Sequence, residues 1–442
     1  MIHRILFFVL IVSSLFGCLE VGERFDSVPP GQWRAILRLT PSTVTPNPKG
    51  KQLPDKVNLK FDEVTLGELP FNMEVSYVDQ KRLKVAIING EERIETTDIR
   101  TWHDKKSNRD SIQINFAEYE SYLKAAYRGD IMEGNFVITS KKDYNIQFVA
   151  KFGQNHRFSQ LTKPPTTDIS GRWATTFSDE DGDTPAIGEF KQSGNKLSGT
   201  FLTETGDYRY LAGEVQANKL YLSCFDGSHA FLFEGKIDSV SGQIVGSFRS
   251  GKTYVATWVA KRDDITQLAD PNLLTKATGK PVNFAFPSPE GQIITLDDPS
   301  LKGKVKILQI MGTWCPNCHD ETRFLATYLS AHKDLPINAI ALAFERHSDP
   351  TRAALTLRTY RDKMGITYPI VHAGMANKDS AALKLPFLDK IMSFPTTVFL
   401  DKQNRVRRVH TGFSGPATSE YTRFTTEFDQ FVRLLAAEES SF

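Results

Sequence analysis

Cysteine is scarce in this sequence: its 442 residues include only four, at positions 18, 224, 315 and 318. Small exported proteins that depend on disulfides carry a higher proportion, so disulfides do not hold the large N-terminal region together. Cys224 lies in the apolar run KLYLSCFDG, and the other three cysteines all have other assignments, given below. This pattern predicts a buried free thiol without a chemical role.

Charge of one sign and metal-ligand patterns are also lacking. The formal net charge is +2, which gives no reason to expect a nucleic-acid partner. A structural zinc site needs four ligands, and the sequence has no second C-x2-C pair to complete one. His319 follows Cys318 directly and would point to a different side of a helix. We therefore expect no metal and no other cofactor.

Long hydrophobic runs are missing, and the most apolar segment stands at the N-terminus. After MIHR comes ILFFVLIVSSLF, about a dozen residues, which is too short for an ordinary membrane span. The sequence Leu15-Phe16-Gly17-Cys18 resembles a bacterial lipobox, and this predicts a lipoprotein signal peptide over 1–17. The alternative is a secretory peptide in which the cysteine is accidental.

If Cys18 carries the lipid, acyl chains hold the mature protein at a membrane surface. The protein then faces an exported, oxidising compartment, the periplasm, while the choice between inner and outer membrane stays open. Residues 18–30 are polar, end in VPPG, and are predicted to form a tether.

The next part of the chain has the pattern of β-structure and is repeated. Short alternating runs separated by turn residues fill two units, 31–160 and 170–263. The order GQW, GNF, YNIQFVAK in the first unit returns as GRW, GSF, YVATWVAK in the second. We interpret this as a duplicated antiparallel all-β region of lipocalin-like meanders, each a small sheet or an open barrel. Trp33 and Trp173 are expected in the cores rather than at a ligand.

The sequence pattern changes in residues 275–438, where apolar strands alternate with helical segments. Strands are predicted at 305–311, 337–344, 368–371, 396–401 and 405–410, and the longest helix over 420–438. Apolar strands joined by helical crossovers predict an α/β domain with a partly parallel sheet that is buried on both faces.

The sequence GTWCPNCHDE places Cys315 and Cys318 between a strand and a helix. The unpaired N–H groups and partial positive charge of a helix N-terminus favour a thiolate and lower the pKa of the first cysteine. Pro316 suits the first helical turn. A structural disulfide across two residues would close almost no loop and stabilise little. The pair therefore indicates redox chemistry.

The segments GKVKILQIMGTWCPNCHDE and FPTTVFLDKQNRV resemble the TlpA/ResA-like thiol-disulfide oxidoreductases, which have a thioredoxin fold. The resemblance covers about 279–437. It implies that Trp314 is the tryptophan before the first cysteine and Pro395 the cis-proline that lies against the disulfide. The backbone of Phe394 would then pair with an extended substrate.

Two carboxylates are candidate proton carriers. Thioredoxins have a buried Asp six residues before the first cysteine, where this chain has Gln309. The resemblance implies that Glu321 acts instead, because three residues along a helix place it on the face of Cys318. Glu345, in the segment AFERHSD, stands at the end of a predicted strand and is interpreted as a plain loop charge.

The expected function is a protein-disulfide reductase that works through a CxxC dithiol/disulfide cycle. Its expected partners are an exported protein that contains a disulfide and a membrane electron donor of the thiol-disulfide exchange type. One alternative is a thiol peroxidase, although Gly312 stands where that class usually has Thr or Ser. Another is a partner-binding lipoprotein in which the β-rich region is the functional part.

Overall fold

The computed structural model describes residues 28–39, 67–79, 81–105 and 108–439. The predicted signal peptide and Cys18 lie outside the described residues. Within these ranges, no helix combines the length and the apolar character needed to cross a bilayer.

The first β-rich unit is one antiparallel sheet whose first and last strands pair with each other. Its order is β4-β3-β2-β1-β9-β8-β7-β6-β5, and Trp33 of β1 lies opposite Phe152 of β9. β4 and β5 follow one another in the chain and form the two edges, so the sheet stays open there. The strands are Gly31–Arg38 (β1), Glu68–Tyr77 (β2), Leu83–Asn89 (β3), Glu92–Thr96 (β4), Ile99–Asp104 (β5), Arg109–Phe116 (β6), Ser121–Arg128 (β7), Ile131–Ile138 (β8) and Asn145–Phe152 (β9), with a 3-10 turn at Ala117–Tyr119.

The second β-rich unit closes into a ring. β10 pairs with β18, and β11 pairs with both β10 and β12, so eight strands form a barrel with the two-residue β13 beside it. The sequence allowed only a sheet or an open barrel; the ring closes because the long β11 pairs along both of its edges. The strands are Gly171–Asp179 (β10), Gly182–Ser193 (β11), Lys196–Thr203 (β12), Gly206–Asp207 (β13), Leu211–Gln216 (β14), Lys219–Phe225 (β15), Ala230–Ile237 (β16), Ile244–Ser250 (β17) and Tyr254–Arg262 (β18).

The two units share the details that the repeated motifs predict. Trp33 and Trp173 are both buried, and each donates its indole N–H to the carbonyl four residues earlier, at 3.0 and 2.9 Å. In each unit the strand that carries this tryptophan pairs with the final strand. The predicted class, a duplicated antiparallel all-β region before an α/β domain, is confirmed.

The C-terminal domain has a five-stranded mixed sheet in the order β23-β22-β21-β24-β25. β21 is parallel to β22 and antiparallel to β24, as a thioredoxin fold requires. All seven residues of β21 are buried, and they alternate between two apolar cores on opposite faces of the sheet. The elements are Pro271–Leu274 (α1), Phe286–Pro287 (β19), Ile293–Ile294 (β20), Val305–Met311 (β21), Pro316–Ala331 (α2), Ile337–Glu345 (β22), Pro350–Met364 (α3), Ile370–Met375 (β23), Lys378–Lys384 (α4), Thr396–Leu400 (β24), Val406–Thr411 (β25) and Glu420–Ala437 (α5).

The two β-rich units are packed against each other over a shared apolar core. Phe225 of β15 reaches into the first unit, where its ring contacts those of Phe71, Phe116 and Phe136 at 4.5 to 5.9 Å. The buried Arg157 donates to the carbonyls of Ile88, in the first unit, and Ser223, in the second. The units therefore form one block rather than two independent domains.

A buried arginine connects all three parts of the chain. The side chain of Arg209 is only 4% exposed and forms ion pairs with Glu92 of the first unit, Asp226 of the second and Asp320 of α2. Its Nε lies 3.3 Å from Asp226. Because buried charges are stable only when they are paired, these contacts hold α2 against both β-rich units.

We expect Arg209→Met to destabilise the protein by about 3–5 kcal/mol, because it leaves buried carboxylates without their cation. The midpoint of denaturant-induced unfolding would measure the loss. Arg423→Met is the matched control: this side chain is 67% exposed and pairs within α5, so about 1 kcal/mol or less is expected. Equal midpoints for the Arg209 variant and the wild type would show that the junction is not a stabilising contact.

Candidate active site

Cys315 and Cys318 form a disulfide at the start of α2. Cys315 is the N-cap, and its Sγ accepts a hydrogen bond from the backbone N–H of Cys318 at 3.2 Å. Pro316 is the first helical residue, as predicted. Cys315 keeps 6% of its surface exposed, whereas Cys318 is fully buried. The two sulfurs therefore differ in access, and only the first can be approached from outside.

The aromatic and proline residues predicted beside the disulfide all lie there. The peptide bond between Phe394 and Pro395 is cis, and the carbonyl oxygen of Phe394 lies 3.4 Å from the Cys315 Sγ. Trp314 donates its indole N–H to the carbonyl of Phe344 at 2.9 Å and packs edge-on against the ring of Phe394. The structure thus brings the predicted substrate-contacting residues to one side of the disulfide.

Glu321 is a buried carboxyl group on the same helix as Cys318. It accepts hydrogen bonds from Gln309 Nε2, at 2.9 Å, and from the hydroxyl of Thr397. Gln309 Nε2 also lies 3.3 Å from the carbonyl of Cys318, so one side chain contacts both groups. Burial raises the pKa of Glu321 to about 7. A carboxyl with this pKa can take up or release a proton near neutral pH.

The structure contradicts the interpretation of Glu345 as a plain loop charge. Its side chain is 1% exposed, and it accepts hydrogen bonds from the backbone N–H and the hydroxyl of Thr313, at 3.0 and 2.6 Å. β22 runs one residue further than predicted, which carries this carboxylate to the turn before the cysteines. Glu345 therefore fixes that turn, and burial raises the pKa of its carboxyl group.

His319 and Tyr119 form a contact that the sequence did not reveal. The imidazole of His319 is fully buried, donates from Nε2 to the carbonyl of Thr313 at 2.6 Å, and stacks on Tyr119 of the first unit at 4.4 Å. Burial lowers the pKa of His319 to about 3, so this ring is neutral at ordinary pH. Tyr119 lies far from His319 in the chain, and no local pattern links the two.

The second β-rich unit covers one side of the disulfide with residues 203–207, here called the covering loop. Ser393 donates its hydroxyl to the carbonyl of Thr205 at 3.1 Å, and Asn317 donates to the carbonyl of Asp207 at 3.3 Å. Gly206 approaches so closely that an added Cβ would lie 1.9 Å from Asn317 Nδ2. Cys315 therefore opens into a cavity of about 300 Å3 that all three parts of the chain line.

Comparison with known proteins agrees with this geometry. Residues 278–409 match the model of the AhpC/TSA family. The chain is 27% identical over 140 residues to the thiol-disulfide oxidoreductase ResA of Halalkalibacterium halodurans, a match that spans 31% of this chain and 70% of that protein. It is 25% identical over 130 residues to ResA of Bacillus subtilis, spanning 29% of this chain and 64% of that protein.

A solved structure is also similar to part of the chain. The thiol:disulfide interchange protein of the thioredoxin family from Chlorobium tepidum is 21% identical, with a TM-score of 0.28. The match covers 37% of this chain and 98% of that one.

The raised pKa of Glu321 gives a testable pH dependence of stability. Its folded pKa, about 7, lies above its ordinary value of 4.5, so the protonated carboxyl stabilises the fold fully below about pH 4.5. This contribution is lost as the pH rises through 7. At about 1.4 kcal/mol per pH unit, the loss approaches about 3 kcal/mol.

Glu321→Gln removes this titration. In the oxidised protein, we expect the variant to gain stability relative to the wild type between pH 5 and pH 8, measured as the difference in unfolding midpoints. Glu427→Gln, on the exposed side of α5, controls for the loss of a negative charge. Parallel pH profiles for wild type and Glu321→Gln would contradict a carboxyl that titrates near neutrality.

Proposed function

We propose that this chain, whose C-terminal domain is a TlpA/ResA-like thioredoxin-fold domain that acts on disulfides, is a membrane-anchored reductase of exported partner proteins. The observation that carries the proposal is the difference between the two cysteines: Cys315 reaches the cavity, whereas Cys318 is buried on the helix that also carries the buried carboxyl of Glu321. This is the arrangement that a nucleophilic and a resolving cysteine need.

The chemistry is a two-electron exchange. In the reduced protein, the Cys315 thiolate attacks one sulfur of the partner's disulfide, whose other sulfur leaves as a thiolate and takes up a proton. Cys318 then attacks Cys315 in the mixed disulfide, forms the Cys315–Cys318 bond and releases the second partner thiol. Glu321 accepts the proton of Cys318, because a carboxylate with a pKa near 7 can hold it. A membrane dithiol donor restores the reduced pair.

The location follows from the N-terminal sequence and not from the described residues. The apolar run and the lipobox-like sequence before Cys18 support export and lipidation. An anchored protein would work at the membrane surface, where an electron donor embedded in the bilayer can reach it.

A thiol peroxidase is the second candidate, because the AhpC/TSA family model covers most of the C-terminal domain. A peroxidatic cysteine does not need a second cysteine three residues later, whereas this chain joins Cys315 to Cys318. Consumption of hydrogen peroxide by the reduced protein would separate the two functions. Turnover of peroxide faster than that of a disulfide substrate would favour the peroxidase.

The two cysteines have different expected phenotypes. Cys315→Ser should reduce disulfide reduction to the background rate, because no nucleophile remains. Cys318→Ser should accumulate a stable mixed disulfide with the substrate, visible as a mass increase on non-reducing analysis. Cys224→Ser is the control, since this thiol is buried inside the second unit, and it should retain full activity. A mixed disulfide that forms through Cys224 instead would overturn the assignment.

The direction of electron flow has its own measurement, the reduction potential of the Cys315–Cys318 couple. Trp314 fluorescence in redox buffers reports the equilibrium. We expect a value near or below roughly −230 mV, in the range of reductants. A value near about −120 mV would make the protein an oxidant and reverse the proposed direction.

A further inference from the structure

The cavity in front of Cys315 is a built site rather than an open surface. In a thioredoxin fold that stands alone, the disulfide and the cis-proline face solvent; here the covering loop and Tyr119 lie beside them. The volume of about 300 Å3 is at the lower end of ligand pockets, which span about 300–1,000 Å3. A folded protein surface does not fit such a space, whereas a short extended segment does.

The charges around this cavity are unbalanced. Lys141 of the first unit and Arg346 of the C-terminal domain both line it. Within the described ranges, neither side chain lies within 4 Å of a carboxylate. Burial, and then the charge of Arg346, lower the pKa of Lys141, which places the two cations within electrostatic reach of each other.

One carboxylate, that of Asp207, also lines the cavity, where it accepts two hydrogen bonds from backbone N–H groups. Glu120 and Glu345 attract Arg346 from outside the lining. Within the lining, the two cations outnumber the single carboxylate. Two like charges that face a common space attract an anion to it.

The walls between these charges are aromatic. The guanidinium of Arg346 lies over the ring of Trp314 at 4.7 Å. Tyr208 and Phe231 of the second unit and Tyr119 of the first also line the cavity. A cavity that combines aromatic rings with two cations can select the residues on either side of a disulfide by their charge.

We propose that this cavity receives a disulfide in an extended peptide segment with Asp or Glu next to its cysteine, and that Lys141 and Arg346 bind those carboxylates. The inference rests on the proposed function, because it names the substrate of the same exchange. The carboxylates take no part in bond making; they hold the segment so that one of its sulfurs lies at Cys315.

The test uses the full mature chain in its reduced form and two disulfide-containing peptides of equal length. One peptide has Glu on both sides of each cysteine and the other has Gln. We expect the second-order rate constant for oxidation of the reduced protein to be about 10-fold higher with the Glu peptide at low ionic strength, and the ratio of the two rate constants to fall as salt is added. Formation of the Cys315–Cys318 bond, followed by Trp314 fluorescence, gives the rate.

Variants then locate the effect. Lys141→Gln together with Arg346→Gln should bring the ratio of the Glu-peptide rate to the Gln-peptide rate close to one. Lys141→Glu should make a peptide with Lys on both sides of each cysteine react faster than the Glu peptide. Lys142→Gln removes the same charge from an exposed neighbour that does not line the cavity, and should keep the wild-type ratio. Because each readout is a ratio within one variant, a general loss of activity does not affect it.

The outcomes separate this inference from the proposed function. A ratio near one in the wild type would overturn the inference while leaving the reductase intact. Failure to reduce either peptide would overturn the proposed function itself. Glutathione disulfide, a small carboxylate-bearing disulfide, is a further substrate. A rate constant above that of the Glu peptide would overturn the assignment to a peptide segment.

Discussion

The buried guanidinium of Arg209 is the interaction on which the arrangement of the three parts depends. It is paired with carboxylates from both β-rich units and with Asp320, which lies two residues after Cys318 on the helix that carries the disulfide. Since an unpaired charge in this position is strongly unfavourable, the helix and the covering loop cannot separate without exposing the whole group to water. The shape of the active-site cavity is thus set by electrostatics outside it.

Burial has a different consequence for each of three titratable side chains around the disulfide. Glu321 is held among hydrogen-bond donors with a pKa near neutrality, so it can exchange a proton. His319 is packed between Tyr119 and Tyr360 and stays neutral, so it serves as a flat packing surface. Glu345 caps the turn of Thr313. One physical effect, desolvation, thus has three different consequences around one disulfide.

The sequence was most informative where the signal is local. The strand 305–311 has the predicted bounds, because five of its seven residues are apolar and turn signals flank the run. The helix that starts at Pro316 follows from its place after an apolar strand, and the cis-proline at 395 is what the family resemblance implies. Closure of the second unit was missed, because pairing between β11 and β12 depends on a register that alternation alone does not define.

The sequence also did not predict the contacts that enclose the site of the thioredoxin-type domain, and the reason is physical. Two such contacts are those between Thr205 and Ser393 and between Tyr119 and His319. They form only when the complete domains pack together. Glu345 was misjudged because its role depends on where β22 ends relative to Thr313. These contacts depend on the tertiary structure, and no periodic pattern in the sequence predicts them.

The pairing of first and last strands in both β-rich units has a consequence for the order of assembly. β1 pairs with β9 and β10 pairs with β18, so each unit can be completed only when its whole segment has been synthesised. The C-terminal domain is synthesised last and brings Asp320 to an arginine that is already in place. A chain that folds from its N-terminus therefore builds the β-rich walls of the cavity first and supplies the reactive sulfurs at the end.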